Sequence, residues 1–264
     1  MGSAIDALDE SVQLLTPKIG LVCFGTAVVA MIASFVLAFI PIFGSLVAGV
    51  VVAPFFLATT VTMVYKYATD GSDTLSAWVD GLNDYFLTLF GGYALYQIGM
   101  FVITLVFGVI LLVIALMMGG LGAMASGTGD AMFTVLGALM LLAMLVIGVV
   151  MFAIAMVVQF LDVSIVIEGA EILEAYQRAY EIVRDDPVST VGYTLLRGMI
   201  PAVGYAVALV VGAGVGYVTD GTWGIVVGGV IGFGVVAVAS AWVVTYHVAY
   251  YMERYGDRLE EDDM

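Results

Sequence analysis
With one cysteine, Cys23, the chain can form neither an internal disulfide nor a cysteine cluster for a metal. One histidine, His247, leaves no HExxH zinc motif, and the only lysines, Lys18 and Lys66, follow no GxxxxG loop, so a P-loop is excluded as well. There is no GxSxG nucleophile turn. Bases are scarce as a class: seven Lys and Arg stand against 22 Asp and Glu. Without basic clusters, nucleic acid is not a partner, and neither are anionic headgroups held through a polybasic patch. An acid surplus of this size is familiar in salt-loving organisms and points to a halophilic archaeon. The first residues, MGSAIDALDE, are acidic, so they lack the basic start of a cleaved signal peptide.

What is abundant is apolar. Hydrophobic residues make up 63% of the chain, charged residues only 11%, and the mean hydropathy is +1.14. Such a chain has lipid as its solvent, and a multi-pass membrane protein follows.

Residues 172–183 place Ile172, Tyr176, Ala179 and Val183 on one helical face and Glu171, Glu174, Arg178, Glu181 and Arg184 on the other. This amphipathic helix ends at Pro187. Residues 3–16, closed by Pro17, repeat the pattern with Ile5, Leu8, Val12 and Leu15 opposite Asp6, Asp9, Glu10 and Gln13. Leu75, Trp78, Leu82 and Phe86 carry it a third time. Each such helix precedes two apolar runs: 19–40 and 46–64, then 86–118 and 131–161, then 198–217 and 225–250. A run of about 22 residues at about 1.5 Å each crosses a hydrocarbon core of roughly 30 Å. The expected fold class is all-α: six membrane helices as three hairpins, each preceded by a cytoplasmic amphipathic interfacial helix. Pro201 should kink the fifth span near its start.

The chain reads as one membrane domain, 1–264, with pseudo-repeats 1–67, 68–161 and 162–256 and an acidic tail, 257–264. FGGYALYQIG from Phe90 and TVGYTLLRGM from Thr190 align, setting Gly92 on Gly192, Tyr93 on Tyr193, Leu95 on Leu195 and Gln97 on Arg197. Internal repeats often locate a site at their interface. All seven Lys and Arg lie at the interfacial-helix end, which puts both termini in the cytoplasm of a cell-membrane protein.

Two groups of residues are candidates for function. Gln97, Asp162, Glu168, Arg197 and His247 fall near the inner membrane surface. Converging inward, they would form a polar site, because ionisable groups within spans are costly and often functional. Pointing outward, they would snorkel to the headgroups. Gly204, Ala208, Gly212 and Gly216 on the fifth span, and Gly224, Gly228 and Gly232 on the sixth, recur every four residues. Such ladders either pack two helices of one chain closely or form a seam between copies or around a ligand. Trp78, Trp242, Tyr246, Tyr250, Tyr251 and Tyr255 read as an aromatic belt. Gly127, Thr128, Gly129 and Asp130 spell the GxGD of intramembrane aspartyl proteases, but the Tyr-Asp pair that supplies their second carboxylate is missing; a loop ending in a helix-capping Asp130 accounts for the letters.

From Phe160 to Arg197 the order is an aspartate in an apolar IVIEG run, an amphipathic helix with Ala175, Tyr176 and Arg178, then IVRDDP and Gly192, Tyr193, Leu195. It resembles a group of uncharacterised six-span archaeal membrane proteins and, more distantly, the membrane domain attached to some glycerophosphodiester phosphodiesterases. The resemblance implies the topology and carries over no catalytic residue, because the phosphodiesterase domain itself is missing. A nucleophile, base and electrophile cannot be assembled from the residues present, so the expected function is non-enzymatic, with no cofactor and no metal. It is a scaffold or accessory subunit that binds membrane lipids, a membrane-protein partner or a second copy of itself. The alternative is a small-solute or ion transporter or channel with a polar site near the inner surface. Polar groups facing inward favour transport; the same groups facing headgroups favour the scaffold.

Overall fold
The structure is a computed structural model describing residues 4–40, 44–124, 129–218 and 222–262; of these, side chains are described except at 117–124, 129–136, 139, 216, 218, 222–225 and 256–262. The described chain is all helical: α1 Ala4–Leu14, α2 Pro17–Ala38, α3 Gly44–Val47, α4 Ala53–Asp70, α5 Thr74–Asp84, α6 Phe86–Met124, α7 Gly129–Val158, α8 Leu161–Val166, α9 Ile172–Asp185, α10 Pro187–Val218 and α11 Thr222–Asp262. A π turn, Ala48–Val52, joins α3 to α4. Among the described residues, six stretches are long and apolar enough to cross a membrane: 17–38, 44–70, 86–116, 140–166, 187–215 and 226–255.

Helix boundaries follow local chemistry. Thr16 caps α2, accepting from the Ile19 amide, and Pro17 supplies a first-turn residue whose missing N–H costs nothing there. Asp73 caps α5 through the Ser76 amide. Gly71 ends α4 at φ +64°, a left-handed position that glycine occupies without strain. Asp186 starts α10: its Oδ1 accepts from the Ser189 amide at 2.9 Å, and its other oxygen meets Arg254 of α11.

That cap places the fifth span's start at Pro187 rather than Gly198. Arg197, expected at the span's mouth, is therefore well inside α10. The fourth span also runs on, through the bend at Gln159 and Phe160 into α8, and takes Asp162 with it.

Asp186 yields a pH prediction. The Ser189 amide and then Arg254 hold its carboxyl below the usual carboxylate range. A depressed folded value stabilises above the unfolded value and is lost as pH falls through the folded one. Asp186→Ala should cost about 0.5–2 kcal/mol at neutral pH, the usual cost of losing a cap. The deficit should close on acidification, as read by thermal unfolding in detergent at several pH values.

The core sits at one end of the bundle. Buried residues of α1, α2, α4, α5 and α8–α11 form a single cluster, whereas α6 buries only Leu89 and Gly92 among its described residues. Gly81 of α5 is pressed against the Ala58 carbonyl and Thr62 of α4. Thr59, Thr60 and Thr62 turn their hydroxyls back onto carbonyls of α4 itself, so these buried polar groups need no partner elsewhere. The tyrosines expected in an interfacial belt belong to this core. Tyr246, Tyr250 and Tyr251 are at most 2% exposed, because Tyr246 and Tyr250 lie against Tyr193, Tyr250 also stacks on Phe160, and Tyr251 lies against Tyr255, instead of facing headgroups.

The faces of α1, α5 and α9 differ from a simple two-sided pattern. Each turns small residues to the bundle: Ala7 and Ser11, Ala77 and Gly81, Ala175 and Ala179. Larger apolar side chains, Ile5 and Val12, Leu75 and Val79, Leu173 and Tyr180, stay exposed. Small residues permit close approach between helices, and Trp242 and Tyr246 of α11 bond to Ser11 and to the Ala4 carbonyl across the α1 contact.

Candidate functional site
Three helices and one bend meet at Asp162. The carboxylate comes from α8, Tyr193 and Arg197 from α10, and His247 from α11, with Gln159 contributed by the bend after α7. On α10 Tyr193 and Arg197 are four residues apart, so both point the same way. His247 Nε2 lies 2.9 Å from Asp162 Oδ1, and both side chains are 1% exposed. The other ring nitrogen, Nδ1, meets the Tyr193 hydroxyl, and Arg197 Nη1 approaches it at 3.4 Å.

Those contacts assign the imidazole tautomer. Guanidinium can only donate, so Nδ1 accepts, the Tyr193 hydroxyl donates to it, and the remaining proton sits on Nε2 and is donated to Asp162. Arg197 also donates to the Gln159 carbonyl at 3.1 Å and lies 5.9 Å from the Tyr193 ring centroid, a cation–π contact. The Gln159 amide donates to Thr194 Oγ1 at 2.7 Å, whose hydroxyl returns to the Thr190 carbonyl. Asp162 Oδ2 is buried with no hydrogen-bond partner. Over the cluster the Tyr193 and Tyr250 rings stack at 4.1 Å, with Phe160 against both.

A carboxylate, an imidazole and a hydroxyl in series form the arrangement that activates a nucleophile in acyl transfer. Here Tyr193 is fully buried beneath other rings, so its oxygen cannot reach an external carbonyl. What the series can do is move a proton. Cys23 is buried and adds no accessible thiol. Among the described residues no three His, Cys, Asp or Glu side chains gather to hold a metal ion.

Of the five polar candidates, Asp162, Arg197 and His247 come together and face inward. Glu168 lies just beyond, accepting from the Tyr251 hydroxyl, with Arg178 Nε 3.7 Å away. Gln97 goes elsewhere: its amide rests on Gly49 in the π turn. In the glycine ladders, a Cβ on Gly228 would fall 2.6 Å from the Gly212 carbonyl oxygen, one on Gly204 2.7 Å from the Ala239 Cβ, and one on Gly232 3.5 Å from the Ala208 Cβ. These are contacts between α10 and α11 of one chain. Gly127 and Thr128 of the GxGD stretch lie outside the described residues; Gly129 and Asp130 begin α7, and their side chains, like the surroundings of Gly216 and Gly224, are not among those described. Tyr193 was visible in the sequence only as a repeat marker. The signal that finds it is the polar stripe Thr190, Tyr193, Thr194, Arg197 running up one face of an apolar helix.

A groove of about 610 Å³ runs between α6 and α7, lined by residues such as Leu95, Gly99, Met100 and Ile154 and closed at one end by Leu173 and Tyr176 of α9. The Tyr176 hydroxyl donates to the Gly92 carbonyl at 2.8 Å and ties α9 to α6 there. Burial pushes this phenol up to about 12.

Residues 19–257 match the family described as Domain of unknown function (DUF7847), and the chain belongs to that family. No curated protein and no solved structure matches it.

Proposed function
We propose that this DUF7847 member is a small-solute or ion transporter whose polar site is the cluster of Asp162, His247, Tyr193 and Arg197. One observation carries the reading: three ionisable side chains, expected either to converge or to snorkel, are drawn into mutual contact inside apolar helices. Placing a charged Asp or Arg at the centre of a membrane span costs about 2.5–3.5 kcal/mol on insertion scales, and groups kept at such a cost commonly line a pathway. The test is solute and ion flux in proteoliposomes, surveyed over a panel of ions, amino acids and sugars. Arg197→Gln should abolish most of any flux found, while Gln97→Ala, altered at a site apart from the cluster, should spare it. No flux for any member of the panel would sink the reading.

A scaffold or accessory role is the second reading, favoured by the groove between α6 and α7. Its volume falls within the roughly 300–1,000 Å³ of small-molecule sites, and its apolar walls suit a lipid chain. On either reading the protein is non-enzymatic and acts within the cell membrane with both termini cytoplasmic. The three hairpins and their interfacial helices belong to the same proposal: the exposed Ile5, Val12, Leu75, Val79, Leu173 and Tyr180 would enter the headgroup layer. So do the threefold repeat architecture, the archaeal and salt-loving source, and the kinship with the phosphodiesterase-linked membrane domain, which rest on sequence alone. Native mass spectrometry separates the two functions: a stoichiometric lipid or protein subunit retained without measurable flux favours the scaffold.

A further inference from the structure
Building on the transport reading, we infer that the ion handled at this site is the proton, bound by the chain Tyr193–His247–Asp162. Asp162 Oδ1 accepts from His247 Nε2 while Oδ2 is buried and unpartnered, so only one side-chain donor supports the charged carboxylate, and a proton passed along that bond lands on Oδ1. His247 is bonded at both ring nitrogens, which lets a proton enter at one as another leaves from the other. Arg197 makes the site unsuited to a metal cation. Its fixed positive charge stands 3.4 Å from the ring, and among the described residues no further carboxylate or thiol completes a coordination shell. A proton needs no such shell, because one O–H bond holds it.

The transfer balances. A proton arriving at Tyr193 bonds to the phenolic oxygen as that oxygen's own proton passes to Nδ1, and the ring yields its Nε2 proton to Asp162. One proton has entered, Tyr193 is restored, His247 is again neutral with its proton on Nδ1, and Asp162 is a neutral acid. An Nδ1–H can no longer accept from Arg197, so the guanidinium must leave the ring and keep only the Gln159 carbonyl. Proton occupancy is thereby coupled to the contact between α10 and α11.

Of the ionisable groups on neighbouring helices, Tyr93 on α6 acts electrostatically on Asp162 and Arg197, and the Tyr246 and Tyr250 rings of α11 lie against Tyr193. The other helices packed on α8 carry Lys66, paired to Asp80, on α4 and Glu174, Tyr176 and Arg178 on α9, with Glu168 just after α8 accepting from Tyr251.

Infrared difference spectra of the full chain in phosphatidylcholine vesicles, taken as bulk pH is stepped, read the C=O stretch of a protonated carboxylic acid directly. Acidification protonates exposed carboxylates as well, so the band that counts is the wild-type band missing from Asp162→Asn, which keeps the side chain's shape; Tyr193→Phe should move the midpoint of that band by about one pH unit or more. The absence of such a band, or an unmoved midpoint in Tyr193→Phe, overturns the inference. A band without solute flux would remove the transport reading and leave the proton site standing; flux without a band would remove the proton site alone.

Discussion
His247→Leu should destabilise the protein by about 3–5 kcal/mol, the range for leaving a buried charge without its partner. The reason is what remains: Asp162 keeps its burial and loses the donor on Oδ1, while Oδ2 already has none, so a carboxylate is stranded among apolar side chains and aromatic rings. Tyr193 loses its acceptor at the same time. Adding Asp162→Leu to His247→Leu should recover much of that loss, because replacing both members of a buried pair by apolar residues is often neutral or better. Unfolding midpoints in mild detergent for the two single variants and the double variant measure the coupling. A single-variant loss below about 1 kcal/mol, the value of an exposed pair, would show that the pair is solvated and remove the premise of a buried site.

Gly228→Leu should also be severely destabilising, by about 1–3 kcal/mol or more, as overpacking usually is. A Cβ at this position falls 2.6 Å from a backbone oxygen of Gly212, which has no rotamer to change, so the two helices must part. Separation would propagate, since α10 carries Tyr193 and Arg197 and α11 carries His247. Gly229→Ala is the internal control: a Cβ there meets nothing within 4 Å, so the next residue along should tolerate substitution. A ladder used as a seam between copies predicts another order of events, in which Gly228→Leu changes the mass of the assembly before it changes the unfolding midpoint. Light scattering and thermal unfolding on one sample distinguish these outcomes.

Much of the helical outline is readable from periodicity and composition, because a span needs only a continuous apolar run and a break. Pro17 marks the gap between α1 and α2, and Gly71 ends α4. The fifth span was misplaced for a physical reason. Residues 187–197 contain Ser189, Thr190, Tyr193, Thr194 and Arg197, which lower hydropathy although all face protein interior or their own helix backbone. Hydropathy reads the mean of a segment and is blind to which side is covered. The tyrosines of α11 were misread in the same way: aromatic rings near a span's end suit a headgroup belt or a stacked core equally well, and only their neighbours decide.

The order of its residues alone carried the apolar runs of a multi-pass membrane protein, helices as their form, and the absence of an internal disulfide, an HExxH motif and a P-loop. Those follow from counts and local runs, and backbone groups in lipid must be satisfied within a helix or a closed barrel. Tertiary structure decided that Asp162, Arg197 and His247 converge while Gln97 goes to the π turn, and that Gly228 faces Gly212 of its own chain. Asp162 and His247 lie 85 residues apart, and no local pattern encodes a contact at that separation. It exists because small residues bring α10 against α11 and the chain breaks at Phe160, which starts α8 as a separate short helix carrying Asp162.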